Sequence, residues 1–267
     1  MGEVSKWDIY DKLIASIPDD LRIEACLTGL SWFLVRSKGV GIAMTPPEGS
    51  RDYCFTGKIN GAPVKAVAQW VKSWNYFEAA MGLAAINSVI NTPQRLEETL
   101  AVKWEEQPSK DVFVQMREQL RGKKVAVIGH FRDLELLAPL CELSILERRP
   151  QQGDYPDPAC EYILPQQDFV FITATTLINK TLPRLLELSR NAFVVLAGPS
   201  TPLSPVLFEY GIDMLAGTAV VEQQTVWQLM QEGDRQKFFD TGAKMVQVAA
   251  KDYSIFRNTP EYRQALA

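Results

Sequence analysis

The chain of 267 residues is 46% hydrophobic and carries a net charge of −4 at pH 7. That is apolar material for one large or two modest domains, with no basic excess to neutralise the phosphates of a nucleic acid. No apolar run approaches the roughly 20 residues of a membrane span, and Met1 to Lys6 holds no apolar signal core, so a cytoplasmic setting is expected.

Trp7, Tyr10, Leu13, Ile14 and Ile17 recur at helical spacing until Pro18 stops them. Leu21, Ile23, Ala25 and Leu27 then alternate as in a strand, and Trp32 to Val35 and Val40 to Met44 are two further β-rich runs. Lys38-Gly39 between those runs is a hairpin signal, so the spacing predicts a three-stranded antiparallel meander. Thr45 to Ser50 is a loop by composition. From Pro63 to Asn91 the pattern turns helical, as two helices broken between Lys72 and Asn75. The second is rich in Ala and Gly, which calls for close approach of another backbone. Asn75, Glu78 and Asn87 place polar groups along it, either as a solvated face or as part of a site. Pro93 ends this helix. The join runs from Thr92 to Lys124 with a helix from Asp111 to Leu120 closed by Gly122, and the domain boundary falls near Pro108.

The second half opens on Lys123 to Phe131. Val125 to Ile128 is a short β-branched run ended by Gly129, which reads as a buried parallel strand. A helix over Asp133 to Cys141 and a second strand over Leu143 to Leu146, ending at Glu147, follow. The loop Arg148 to Pro158 leads to a third strand from Asp168 to Ala174. Ala192 to Ala197 is a fourth strand, and Met214 to Val221 a fifth, broken by Gly217. A helix carries Leu182, Leu185, Leu186 and Leu188, and a short one starts near Ser204 or Pro205. Gln224 to Phe239 and Gly242 to Tyr253 read as closing helices. This alternation predicts a doubly wound α/β sheet.

Such sheets bind ligands outside the carboxyl ends of their strands. The strands here end in Gly129-His130, Glu147, Thr173 to Thr176 and Gly198 to Thr201. Gly129-His130-Phe131 lacks the further glycines of a dinucleotide fingerprint, so classical NAD binding is disfavoured. Glu147 stands where ribose hydroxyls are bound in Rossmann sheets, or is a strand-end carboxylate paired with Arg148 or Arg149. His130, the one histidine, suits a metal ligand or proton-transfer group, or simply packs. Gly198, Ser200 and Thr201 suit an anion or carboxylate, or cap a helix; Thr175, Thr176 and Asn179 carry the same alternatives. Lys180 adds a positive charge to the crevice or is solvated. Cys26, Cys54, Cys141 and Cys160 form no C-x-x-C pair, so a zinc site of usual spacing is not expected and reduced thiols are.

Ser73-Trp74-Asn75 with Glu78-Ala79-Ala80, Ile128-Gly129-His130-Phe131, Thr175 to Thr181 and Gly198 to Leu203, in this order, give the chain a resemblance over nearly its whole length. It resembles a family of uncharacterised bacterial and archaeal proteins described as heavy-metal chelatases. The resemblance implies an enolase-amino-terminal-like α+β domain over 1–108 and a Rossmann-like α/β domain over 109–267, with a site in the cleft between them. An enolase reaction is not expected, because no catalytic barrel follows.

The expected function is binding of a heavy-metal ion, or of a metal-bearing small molecule, in that cleft. Glu78 of the first domain would face His130 of the second, both as metal ligands and as the leading catalytic groups. A divalent metal ion is the cofactor this admits. The alternatives are an enzyme acting on a small anionic or nucleotide-like ligand with His130 as acid or base, and a ligand-binding regulator without chemistry. The expected partners are a small molecule or metal ion and a second copy of the chain, with neither nucleic acid nor membrane.

Overall fold

The computed structural model describes residues 5–47, 55–108, 111–132 and 134–257. In chain order they form α1 (Asp8–Ala15), β1 (Ala25–Thr28), β2 (Trp32–Arg36), β3 (Val40–Met44), α2 (Val64–Ala68), α3 (Tyr76–Ile90), α4 (Pro93–Leu100) and α5 (Val112–Met116). The second half contributes β4 (Lys124–Ile128), β5 (Glu142–Glu147), β6 (Tyr155–Pro156), α6 (Cys160–Ile163), β7 (Phe169–Thr173), α7 (Leu182–Leu188), β8 (Phe193–Ala197) and β9 (Met214–Val220). It closes with α8 (Gln223–Gln231), α9 (Phe238–Thr241), β10 (Ala243–Ala249) and α10 (Ala250–Arg257).

Two sheets organise these elements. The first is the expected antiparallel meander, β1-β2-β3. Its central strand is buried on both faces. Phe33 and Val35 face the core that holds α3, while Trp32 and Leu34 join Val226, Trp227 and Phe238 of the second half. A period of two therefore feeds two different cores, which is why the run reads as continuously apolar.

The second sheet has the order β10-β9-β8-β7-β4-β5-β6, parallel except for β10. From β4 the chain winds out through β5 and β6, then returns to the other side of β4 with β7 and continues outward. The order therefore reverses between β4 and β7, the switch point where a doubly wound sheet opens a crevice.

Helix α3 is the hub. Every residue from Ala79 to Ile90 is buried. Its small residues allow two close approaches. A Cβ on Gly41 would lie 2.1 Å from the Ala84 carbonyl oxygen, and one on Gly82 would lie 2.2 Å from the Val71 nitrogen. The polar groups along α3 do not form one solvated face. Asn75 caps the helix by accepting from the Phe77 N–H at 3.0 Å, and Asn87 is fully buried.

Several expectations need correction. The helix over Asp133 to Cys141 is only a 3-10 turn at Leu134–Leu136, with Asp133 itself outside the described residues. Pro139 removes an N–H and obstructs the carbonyl four residues back, so a regular helix cannot pass it. The segment expected as a helix from Gly242 opens as strand β10, whose Val246 and Val248 alternate with Met245 and Gln247. The helix expected over Gln224 to Phe239 divides into α8 and α9 at Gly233, which turns in the left-handed region. Gly217 does not break β9. It lets Leu203 approach, since a Cβ there would lie 3.0 Å from that side chain. The first strand is regular only from Ala25, and the helix expected to Leu120 stops at Met116. Pro93 starts α4 rather than directly ending α3, which stops at Ile90. Glu48 to Ser50 of the predicted loop, Cys54 and Ser109 lie outside the described residues.

Candidate functional site

Gly129 ends β4 with φ +101, and Gly198 ends β8 with φ +104, a backbone region that favours glycine. The ring of Phe131 covers both turns. A Cβ on either glycine would lie 3.7 or 3.5 Å from it, and it packs on Phe113 at 5.1 Å. Beside these turns, at the switch point, a cavity of about 120 Å³ opens. Its floor is the ends of the parallel strands, Ile128, Gly129, Leu146 and Thr173. One side carries Glu147, Arg148, Arg149 and Asp157, and the other Thr175, Thr176, Ile178, Asn179 and Thr181. The first half closes it with Met44, Pro46, Pro47 and Tyr76.

Glu147 is held as a backbone anchor. Its Oε1 accepts from the His130 N–H at 3.0 Å, and its Oε2 accepts from the N–H groups of Arg148 at 2.8 Å and Arg149 at 3.3 Å. The carboxylate is thus met by three peptide dipoles and fixes the turns after β4 and β5. The arginine side chains reach across to the first half. Arg148 lies over the Tyr76 ring at 5.8 Å and donates to its hydroxyl at 3.4 Å, while Arg149 donates to the Pro47 carbonyl at 2.9 Å. Opposite them, Thr176 Oγ1 donates to the Thr173 carbonyl at 2.6 Å, and the Thr173 and Thr175 hydroxyls are 3.1 Å apart. Asn179 Oδ1 accepts from the Thr181 N–H and hydroxyl. The result is a small, partly apolar crevice with two guanidinium groups on one wall and hydroxyls on the other.

His130 follows Gly129 but does not itself line the cavity, and a third of its side chain is exposed. Its Nδ1 is 3.3 Å from Asp154 Oδ2, a carboxylate whose side chain is only 3% exposed. The Gln151 N–H donates to the same oxygen at 2.9 Å, so Asp154 is itself fixed. This pairing orients the imidazole in the manner of a base and its orienting acid.

Of the residues expected at the site, Gly129, Glu147, Thr175, Thr176 and Asn179 border the cavity. Glu78 does not. It is engaged within its own half, accepting from the Ser73 hydroxyl at 2.5 Å one turn into α3. Ser200 and Thr201, expected to hold an anion, are buried and used in the joint between the halves. Ser200 Oγ accepts from the Met44 N–H at 2.9 Å, and Asn91 Nδ2 donates to the Thr201 carbonyl at 2.8 Å. Lys180 lies behind the wall, its Nζ donating to the Ser73 and Ile178 carbonyls at 2.5 and 2.6 Å. Sequence reasoning missed Asp154, Tyr76 and the roles of Arg148 and Arg149. A paired arginine directly after a strand-end acid was the available signal for the last two; Asp154, in a polar loop, offered none.

The donor set of the described residues does not suit a heavy-metal ion held by side chains. Among the described residues no three of His, Cys, Asp and Glu gather. Burial pushes the thiols of Cys26 and Cys141 up and that of Cys160 to about 12, so they stay protonated, whereas soft metals bind thiolate.

Comparison with known proteins gives the lineage. A family model described as "Putative heavy-metal chelation" matches residues 111–249, over half of the chain, and a companion model with the same description matches residues 10–90. The chain belongs to this family. A crystal structure of a DUF364-family protein of unknown function from Desulfitobacterium hafniense is 42% identical, with a TM-score of 0.85 over 91% of this chain and 98% of that one. A second, from Pyrococcus horikoshii, is 23% identical and shares the fold, with a TM-score of 0.72 over 90% of this chain and 98% of that one. An uncharacterized protein of Methanocaldococcus jannaschii is 29% identical over 205 residues, 72% of this chain and 75% of its own. Among the described residues no helix is long and apolar enough to cross a membrane.

Proposed function

We propose that the crevice binds a small anionic organic molecule, and that any metal arrives as part of that ligand. The observation that carries this reading is the crevice itself, where Arg148 and Arg149 stand on one wall opposite the hydroxyls of Thr175 and Thr176 on the other. Guanidinium groups recognise carboxylates and phosphates in a planar, bidentate fashion. The Tyr76 ring and the apolar strand ends offer the remaining contact area. Capture of a bare metal by His130 and Glu78 is the weaker reading, because Glu78 is committed to Ser73 and His130 to Asp154.

A second reading has a specific observation behind it. The buried Asp154 carboxylate on Nδ1 would leave Nε2 of His130 to move a proton to or from a bound ligand. The cytoplasmic setting belongs to the same proposal and draws support from the free thiols of Cys26, Cys141 and Cys160.

The test is thermal shift and calorimetry on the full chain with nucleotides, phosphate and carboxylate compounds, bare divalent ions, and metal complexes of organic acids. A ligand at 100 times its dissociation constant stabilises by about 2.7 kcal/mol. Arg149→Met should abolish the shift given by an organic anion. Stabilisation by bare metals, with none from organic anions, would overturn the proposal.

A further inference from the structure

We propose that the crevice takes a small amino dicarboxylic acid, with its carboxylates on the Arg148 and Arg149 wall and its ammonium on Asp157. The inference rests on the anionic-ligand reading of the crevice and names a chemical class of ligand for it.

Among the described residues, the charges that line the crevice are two of each sign: Glu147 and Asp157 against Arg148 and Arg149. Glu147 is accounted for by its three peptide N–H groups. Asp157 is not. It is half-buried, and among the described residues its carboxylate makes no hydrogen bond and no ion pair. Strand β6 runs parallel to β5 with Pro156 opposite Glu147, so Asp157 leaves its strand level with Arg148 on the neighbouring one. Opposite charges at adjacent strand ends are placed to pair. Here the Arg148 guanidinium turns instead to the ring and hydroxyl of Tyr76, and Asp157 stays on the crevice without it. The 3-10 turn that Asp157 opens, Asp157–Ala159, is too short a stack of peptide dipoles to hold a carboxylate by itself.

Separated charges of both signs in one small cavity select a ligand that carries both. An acid with carboxylates alone brings negative charge up to Asp157, and that juxtaposition opposes binding. A protonated amine at that end turns the same contact into a charge-assisted hydrogen bond. The donors set the rest of the molecule. Arg148 and Arg149 each present a planar fork suited to a carboxylate. On the facing wall Asn179 spends its Oδ1 on Thr181, which leaves its amide N–H groups for an acceptor. Two carboxylates and one ammonium give the net negative charge of the crevice reading, and a cavity of about 120 Å³ keeps the carbon chain short.

The probes are two pairs that differ only in the amine, L-aspartate with succinate and L-glutamate with glutarate, titrated into the full chain by calorimetry without added metal. The amino acid of at least one pair should bind about ten-fold more tightly than its deaminated twin, the worth of one hydrogen bond between charged groups. Asp157→Asn should act with opposite signs, weakening the amino acid and tightening the twin, which a general loosening of the fold does not do. The preference of the native chain carries the result if that variant does not fold. Equal binding of the twins, or an unchanged preference in Asp157→Asn, overturns the inference and leaves the crevice reading. Tighter binding of the zinc complex of succinate than of free aspartate assigns Asp157 to a metal and overturns the inference likewise. Binding by none of the four acids removes the inference and leaves the crevice reading to phosphates and nucleotides. Stabilisation by bare metals alone removes both.

Discussion

At the scale of single residues, chemistry here is set by what each side chain is already bonded to. Asp154 is buried, fixed by a peptide N–H, and aimed at Nδ1 of His130. A carboxylate accepts only, so the neutral imidazole must carry its proton on Nδ1. The chain has one histidine, so a single set of ¹⁵N imidazole signals reports on it. We expect the Nδ1–H form in the native chain and a shift toward the Nε2–H form in Asp154→Ala. Identical signals in both would show that Asp154 does not orient the ring. Lys180 yields a prediction with a definite sign. Its pKa falls from 10.5 in the unfolded chain to about 8 in the folded one. Between those values the unfolded chain binds more protons, so stability rises with pH from about 8 to 10.5. Below about 8 both states are protonated and this contribution is lost. Denaturant titrations of the native chain and of Lys180→Met at pH 7.5 and 10 should therefore differ in slope with pH. The native chain should gain stability relative to the variant at the higher pH, and parallel behaviour of the two would refute this.

At the scale of elements, α3 shows two propensities in conflict. Gly82 sits inside a 15-residue helix, where alanine would be favoured by about 1 kcal/mol. A Cβ there would lie 2.2 Å from the backbone nitrogen of Val71, and backbone cannot move aside as a flexible side chain can. Forcing atoms into a well-packed site costs about 1–3 kcal/mol, so the clash outweighs the propensity. Gly82→Ala should lower the melting temperature measured by calorimetry; an unchanged or raised value would mean that α2 and the following turn yield easily. The same helix shows what was legible in the sequence. Its wealth of Ala and Gly announced close packing, and β4, β7 and β8 were readable because buried parallel strands are continuous apolar runs. Strand β10 was not, because Ala243 and Ala249 at its ends suit a helix and its pairing with β9 is supplied by the rest of the sheet. The second-half wall of the crevice was legible because strand ends in such sheets converge. Met44 and Tyr76 were not, because which residues meet across the two halves depends on how the halves pack. Glu78 and Ser200 illustrate the converse. Each stood in a suggestive motif, and each is engaged by a hydrogen bond, local for Glu78 and distant in sequence for Ser200, that sequence spacing does not reveal.

At the scale of the whole molecule, we propose two units divided near Pro108, 1–108 and 109–267, that differ in sheet architecture yet unfold together. One apolar core runs through both, joining Ile9, Leu13 and Ile86 to Leu182, Leu203 and Leu207. Polar bonds cross the same joint: Tyr10 donates to the Leu177 carbonyl at 3.2 Å, and Asn87 Nδ2 to the Ser200 carbonyl at 2.9 Å. Asn91 makes three such bonds. Its Nδ2 donates to the Thr201 and Thr218 carbonyls at 2.8 and 3.2 Å, and its Oδ1 accepts from the Leu203 N–H at 2.8 Å. All of these groups are at the buried joint, where water does not replace a lost partner. An orphaned buried polar group costs about 1–3 kcal/mol, so Asn91→Ala should destabilise the chain by about 3 kcal/mol or more. Because that loss falls on the joint, it also tests coupling. If the halves share one cooperative transition, fluorescence and circular dichroism give coincident unfolding curves in the native chain. In Asn91→Ala the curve moves to lower denaturant, and the weakened joint allows the two probes to separate. Two distinct transitions already present in the native chain would show that the shared core does not bind the halves into one folding unit.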